Sequence, residues 1–200
     1  MRSTSVRISG LTAYVEALKQ RIPNGEKDHR DVMAPLRDAP PLVFPSTIQS
    51  VTPEWKMEVR KRLGDVLSKS CNFPSADVGT NDIFLASFIH PSHFPQGALR
   101  QLYSLPAETV LIGRSAAALV VELAKLESRS AVELEVAEWM IRERLAEFVL
   151  YDRKKLNSAQ DRRDALTLSG LSVVGCVHGL HGVAKANELL LHTICVKRNT

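Results

Sequence analysis

The chain has 200 residues, of which 44% are hydrophobic, enough apolar material for one domain with a sizeable core. Its 26 Lys and Arg exceed 22 Asp and Glu for a formal charge of +4, a mild excess that suits an anionic partner without requiring one. Cys71, Cys176 and Cys195 lack CxxC spacing, so we expect free thiols in a reducing compartment. Arg114 interrupts the best candidate for an apolar run of about 18 residues, so we expect no membrane span.

Residues 1–50 are predicted to form a basic N-terminal extension. Arg2 and Arg7 lie among Ser and Thr with no acid before Glu16, which is typical of an organelle transit peptide; a retained basic arm is the alternative. Apolar residues at helical spacing then predict a short amphipathic helix. They are Leu11, Val15, Leu18 and Ile22. Prolines concentrated in residues 31–50 predict an extended tether, because each fixes φ and removes an N–H donor.

Residues 51–200 are predicted to form one helical domain. Thr52-Pro53-Glu54 supplies an N-cap, a proline for the first turn and an acid near the positive helix end, so a helix is expected over about 53–69. A second helix is expected over 81–89, ending at His90 because the residue before Pro91 is driven out of the α region.

Residues 107–126 are predicted to form a nearly all-round apolar helix, and a helix of that kind must be buried. Small residues in its middle, including Gly113 and Ala117, permit another backbone to approach closely. Arg114 is the only charge away from its ends, and a buried charge needs a carboxylate or phosphate opposite it.

The C-terminal third continues the helical pattern. Residues 130–150 are predicted to form a helix with Ser130 as cap and Glu133 three positions on. A polar basic loop is expected over 151–164. The last two predicted helices are 166–180 and 183–196, separated by the glycines between 179 and 182. Without a convincing alternating pattern for a strand, the predicted fold class is all-α.

Six segments follow one another in the order and spacing of motifs in one known family. They are VRKRLG at 59–64, IHPS at 89–92, LIG at 111–113, RERLAEF at 142–148, LSVVG at 171–175 and GVAKANELLL at 182–191. These segments resemble, over about residues 55–195, the ribonuclease III endonuclease domain, with its THxS, LGDAVL, NERLAEIA and EALIGA motifs. The resemblance implies an RNase III-like helical bundle preceded by an N-terminal helix and a proline-rich extension.

Members of that family cleave double-stranded RNA with magnesium ions, which carboxylates hold because hard anionic oxygens suit that ion. The acids stand in E-x-x-E-x-x-G-D on the signature helix and D-x-x-E on a later helix. The matching positions in this chain are Ala107, Val110, Arg114, Leu168 and Leu171. Every acid is replaced, and a guanidinium there would repel the cation. We therefore expect no nuclease activity, no metal and no cofactor.

Other catalytic or metal-binding patterns are weaker. Five residues are of types that bind metals, but they include no second ligand pair at standard spacing. They are Cys176, His178 and His181, with His90 and His93 elsewhere. We expect His90 to cap its helix end by hydrogen bonding instead. Neither G-x-S-x-G nor G-x-x-x-x-G-K-[ST] occurs, so no nucleophile elbow or phosphate-binding loop is expected.

The candidate functional residues that remain are basic and flank one loop. They are Arg153, Lys154, Lys155, Arg162 and Arg163. Such residues could bind RNA through charge and guanidinium forks on phosphates. The alternative is a solvated loop whose cations pair locally with Asp152, Asp161 and Asp164.

The resemblance also implies partners. Family members dimerise through the signature-helix region, which corresponds to Gly113, Arg114 and Ala117. Catalytically inactive members are components of the mitochondrial large ribosomal subunit, where they lie on ribosomal RNA beside a similar protein. The leading hypothesis is a structural protein of that subunit in the mitochondrial matrix, bound to ribosomal RNA and other ribosomal proteins. The alternatives are the non-catalytic subunit of a heterodimeric RNase III-type processing or editing endonuclease, and a module that binds proteins only.

Overall fold

A computed structural model describes residues 51–95, 100, 103–125 and 128–195. The predicted extension over 1–50 lies outside the described residues. Within them the chain is all-α, as predicted, with no strand beyond one isolated bridge between Ile89 and Leu150. The helices are α1 (Pro53–Cys71), α2 (Ser75–Thr80), α3 (Ile83–Ala86), α4 (Ala107–Ala124), α5 (Arg129–Arg142), α6 (Ala159–His181) and α7 (Val183–Cys195), with a 3₁₀ turn at Ala146–Phe148.

Helix α1 begins where its capping sequence predicts. The Thr52 hydroxyl accepts a hydrogen bond from the Trp55 N–H at 3.2 Å, and Pro53 occupies the first turn, where no N–H is needed. The helix continues to Cys71, slightly beyond the predicted end. Asn72 closes it in the left-handed conformation with φ of 49°.

The helix predicted over 81–89 is wrong in extent, because only Ile83–Ala86 is helical within it. The chain then becomes extended and pairs with a distant segment. The Leu150 N–H donates to the Phe88 carbonyl, and the His90 N–H donates to the Leu150 carbonyl, both at 2.8 Å. This pairing satisfies the backbone groups that a longer helix would have used.

The helix predicted over 130–150 is also too long. Its cap is Ser128 rather than Ser130, since the Ser128 hydroxyl accepts from the Ala131 N–H at 3.2 Å. Helix α5 ends at Arg142, and Arg144 takes a left-handed conformation with φ of 53°. The turn that follows carries the chain to Leu150 and its pairing with residues 88–90.

Helix α4 is buried on one side only, which corrects the expectation of an all-round buried helix. Ala117 and Val120 have no exposed surface. On the opposite side Leu111, Leu119 and Leu123 are 50%, 40% and 65% exposed. The apolar sequence of α4 therefore fills a core on one side and leaves an uncovered apolar face on the other.

The central helix of the domain is α6, which packs against α4, α5 and α7 and is buried continuously from Ser169 to Val177. Its contact with α4 is the most extensive between any two described helices. It starts within the predicted basic loop, because Ser158 and Asp161 form a reciprocal capping box, so that loop ends at residue 158. Gly182, with φ of 84°, separates α6 from α7.

Two further findings bear on the expectations from composition. Cys71 and Cys176 are free thiols in the interior, as predicted for these two. None of the described helices combines the length and the apolar character that crossing a membrane requires.

Candidate functional site

The two helices that carry the positions matched to the family's acids in the sequence analysis cross in backbone contact at two glycines. A Cβ built on Gly113 of α4 would overlap the Leu171 carbonyl group of α6, lying 2.8 Å from its carbon. A Cβ built on Gly175 of α6 would overlap the Thr109 carbonyl group, 2.7 Å from its carbon. Gly113 lies one turn after Thr109 in α4, and Gly175 lies one turn after Leu171 in α6. Each helix therefore contributes one glycine and one carbonyl group, and the contact is reciprocal.

This crossing brings some of the acid-equivalent positions together and leaves others apart. Leu171 is fully buried against Gly113, next to Arg114 in the chain, and Val110 is buried in the core on the same helix. Leu168 packs against this core from α6. Ala107, in the first turn of α4, is exposed. Val110, Leu168 and Leu171 bring only alkyl groups to this region.

Arg114 contacts one carboxylate, that of Glu133 on α5. The Arg114 Nε lies 3.6 Å from Glu133 Oε1, and Arg129 Nε lies 3.1 Å from the same oxygen. One carboxylate is thus shared by two guanidinium groups. Over the described ranges no three His, Cys, Asp or Glu side chains converge on one point. Alkyl groups and a guanidinium supply no oxygen ligand, so this set of side chains does not fit a magnesium ion.

A chain of buried hydroxyl groups lies beneath the crossing, and it was not predicted from the sequence. Thr109 and Ser172 hydroxyls are 2.6 Å apart, and Ser172 and Ser87 hydroxyls are 2.8 Å apart. Thr109 also donates to the Pro106 carbonyl. No histidine or carboxylate of the described residues bonds to this chain of hydroxyls, so it is a satisfied polar part of the core. The only signal was Thr and Ser within otherwise apolar helices.

Cys176 is next to these hydroxyls, with its Sγ 3.6 Å from Ser87 Oγ. Burial raises the pKa of the Cys176 thiol to about 12, so it stays protonated and unreactive at neutral pH. Two of the other residues of metal-ligating type, His181 and His90, have partners of their own. His181 contacts Asp77 at 2.5 Å, and His90 contacts Ser92. These candidates are held in separate environments.

The five cations predicted to bind RNA are all exposed, but they are not equivalent. The Lys155 ammonium lies 3.5 Å from Asp152 and donates to the Ser92 carbonyl at 3.3 Å. Arg163 pairs with Glu138 at 3.6 Å. Of the five cations, the ones that form no ion pair with any residue in the described ranges are Arg153, Lys154 and Arg162. Local pairing therefore accounts for two of the five cations.

The loop that carries three of these cations is fixed to the segment around His90. The Asp152 N–H donates to the Ser92 hydroxyl at 3.2 Å, and that hydroxyl lies 2.9 Å from His90 Nδ1. His90 thus stabilises a turn and not the helix end predicted for it. Burial, and then the charge of Arg100, lower the pKa of His90, which keeps it neutral at physiological pH. The Lys154 N–H bond to Asp152 likewise lowers that carboxyl's pKa.

The structure gives a different role to two of the three predicted interface residues. The space beside Gly113 is filled by Leu171 of the same chain, and Ala117 has no exposed surface. Neither residue can therefore contact a partner directly. The Arg114 side chain is 38% exposed. The surface of α4 that a partner can reach is instead the exposed leucine face, which consists of Leu111, Leu119 and Leu123 with the exposed Ala118.

The described residues define an all-α protein with a close crossing of α4 and α6 and an exposed cationic loop. In comparisons with known proteins, no family model, no curated protein and no solved structure matches this chain.

Proposed function

We propose that this protein is a structural, non-catalytic RNase III-like component of the mitochondrial large ribosomal subunit, binding ribosomal RNA and neighbouring proteins. The supporting observation is the contact of Gly113 with Leu171, which joins the two helices that carry the family's acid positions. Alkyl groups and Arg114 stand at those positions. Such a pair of helices keeps a scaffold without the oxygen ligands that cleavage needs.

The absence of cleavage follows from the chemistry of these positions. Two-metal phosphodiester hydrolysis needs anionic oxygens on both sides of the scissile bond. Val110, Leu168 and Leu171 offer none, and the one carboxylate beside Arg114 is shared between two guanidinium groups. We expect the purified chain to leave duplex RNA intact in the presence of magnesium. Magnesium-dependent cleavage by the purified chain would refute this part of the proposal.

Binding to ribosomal RNA is supported by the exposed cations. Arg153, Lys154 and Arg162 have no competing carboxylate within ion-pair distance among the described residues, so their charges are free to meet phosphates. The anchored turn at Asp152 holds the first two in place. A fixed loop loses less conformational entropy when it binds than a free one would.

Binding to a neighbouring protein is supported by the exposed leucine face of α4. Three leucines that are 40–65% exposed on one helix face are the kind of apolar surface that a partner covers. A second RNase III-like protein is one candidate. The same face would also serve the alternative function, the non-catalytic subunit of a heterodimeric RNA-processing or editing endonuclease.

Sedimentation separates these functions. We expect the tagged protein from mitochondrial extracts to sediment with the large ribosomal subunit and to leave it after nuclease treatment. A variant with Arg153, Lys154 and Arg162 all changed to Gln should be released at lower salt than the wild type. Lys155→Gln is the matched control, because that cation already has Asp152.

Two results would contradict the ribosomal function. One is sedimentation of the protein only in a small complex. The other is co-purification with a subunit carrying E-x-x-E-x-x-G-D, together with cleavage of duplex RNA when the two are mixed. The second result would establish the alternative function instead.

A further inference from the structure

A groove of about 290 Å³ lies between the end of α5, the chain after the 3₁₀ turn and the first turns of α6. Its wall is partly apolar, with Ile141, Ala146 and Leu166, and partly suited to a polar ligand, with Tyr151, Arg162 and Arg163. The side chains of this groove come from three separate parts of the chain. The proposed RNA contacts of the exposed cations do not involve the groove as a whole.

The apolar wall of the groove is unusually bare. Ile141 is 49% exposed although it lies on a helix whose other face carries the fully buried Trp139 and Met140. Tyr151 is half-buried, packs partly against the core and lines the same groove. A flat apolar ligand placed between these side chains would remove both from water.

The charged wall of the groove is positive. Arg162 forms no ion pair with a described residue, and Arg163 has only Glu138 at 3.6 Å, with both side chains well exposed to water. Exposed pairs of that kind contribute little and yield to a better anion. Both arginines lie in the first turns of α6, where the helix dipole adds to the positive potential. Charge complementarity therefore favours an anionic ligand.

We propose that the groove binds one unpaired nucleotide of RNA. Its base would stack on Tyr151 against Ile141, and its phosphate would pair with Arg162 and Arg163. Arg153 and Lys154, which follow Tyr151 in the chain, would meet the phosphates on either side. A base inside a duplex cannot enter, because its faces are already stacked, so the ligand is a bulged or loop nucleotide.

This inference rests on the RNA binding in the proposed function and makes it specific. The probes are two labelled RNA hairpins of the same length, one fully paired and one with a single-nucleotide bulge, titrated with the full chain and followed by fluorescence anisotropy. We expect the bulged hairpin to bind about tenfold tighter, the scale of one stacked base.

Two groove variants and one control test the location. Tyr151→Leu removes the aromatic ring and keeps an apolar side chain. Ile141→Glu puts a negative charge into the groove at an exposed position, where it should not disturb folding. Both should remove the preference for the bulged RNA. Lys155→Gln, outside the groove at a cation that already pairs with Asp152, should keep the preference. Circular dichroism checks that each variant is folded.

A 4-thiouridine in the bulge gives a second measurement that does not depend on affinity. Irradiation should cross-link it to peptides containing Tyr151 or Ile141. Equal affinity for the two hairpins, or cross-links only elsewhere, would overturn the groove inference. If RNA binding still depended on salt, that result would continue to support the proposed function. If neither hairpin binds at about 50 mM salt, where phosphate contacts are strong, the RNA binding in the proposed function fails as well.

Discussion

The backbone of Gly113 lies directly against the carbonyl group of Leu171, at the crossing of α4 and α6. The same relationship is repeated in reverse by Gly175 and the Thr109 carbonyl. Because each helix supplies both a glycine and a carbonyl, the two axes are held at a distance that no larger residue permits. At this separation the Thr109 and Ser172 hydroxyls of the two helices lie 2.6 Å apart.

Replacing either glycine by alanine should therefore destabilise the fold strongly. The added methyl of Gly113→Ala or Gly175→Ala would meet backbone atoms that cannot rotate away. We expect each to cost about 3 kcal/mol or more of unfolding free energy, the upper range for overpacking, measured by urea denaturation. Gly79→Ala is the matched control, because nothing lies within 4 Å of its Cβ. Gly79→Ala should keep or raise the unfolding free energy, because alanine favours a helix more than glycine does. The same result at Gly113 and Gly175 would mean that the crossing leaves room for a methyl group.

The sequence predicts that something comes close to Gly113, but it cannot say what. A glycine among alanines fits a neighbouring helix of the same chain as well as a partner's helix, because the spacing is the same in both cases. The structure assigns the approach to α6. The exposed leucine face of α4 was not predicted, for a related reason. Apolar residues around a whole helix indicate burial, and only the positions of neighbouring helices reveal that one side is bare.

The start of α1 was more predictable than the end of α5. Thr52 caps α1 through a bond to Trp55, a local interaction that can be read from adjacent residues. The end of α5 depends on Leu150 pairing with residues 88–90, about sixty positions away in the chain. Periodicity within residues 130–150 contains no information about that pairing. Local pairing with Asp152 was likewise predictable and is found for Lys155, whereas the pairing of Arg163 with Glu138 on another helix was not predicted.

The buried thiol of Cys176 should make stability depend on alkaline pH. Its pKa rises from 9.0 to about 12 on folding, because burial disfavours the thiolate. Below pH 9 the thiol is protonated in both states, so it contributes no pH dependence. Between pH 9 and 12 the unfolded chain loses this proton and the folded chain keeps it, so the unfolding free energy falls as pH rises.

Urea denaturation from pH 7 to about pH 10 measures this effect. Cys176→Ala should flatten the decrease above pH 9, whatever its own effect on stability at neutral pH. Cys71 and Cys195 are present in both proteins, so their contributions cancel in the comparison. Parallel pH profiles for wild type and variant would show that the folded-state thiol titrates normally and is not buried in solution.

Arg114 should be dispensable for the stability of the isolated chain. Its Nε lies 3.6 Å from Glu133, with 38% of the side chain exposed, and ion pairs of this kind contribute about 1 kcal/mol at most. Glu133 keeps Arg129 at 3.1 Å if Arg114 becomes Met. We expect Arg114→Met to change the unfolding free energy by less than about 1 kcal/mol in urea denaturation. A loss several times larger would indicate that Arg114 pairs with a charge on a second chain.

The salt dependence of RNA binding should distinguish the free cations from the paired ones. Each phosphate contact that is lost lowers the slope of log K against log salt by about 1. Arg153→Gln, Lys154→Gln and Arg162→Gln should each show this change, because these side chains have no ion pair to break among the described residues. Lys155→Gln should change the slope less, since Lys155 already pairs with Asp152 at 3.5 Å. Titrations of the bulged hairpin at several salt concentrations measure all four slopes. If Lys155→Gln changes the slope as much as the others do, the Asp152 pair opens on binding. If none of the four changes it, this loop does not contact the RNA, and the phosphates are bound elsewhere on the chain.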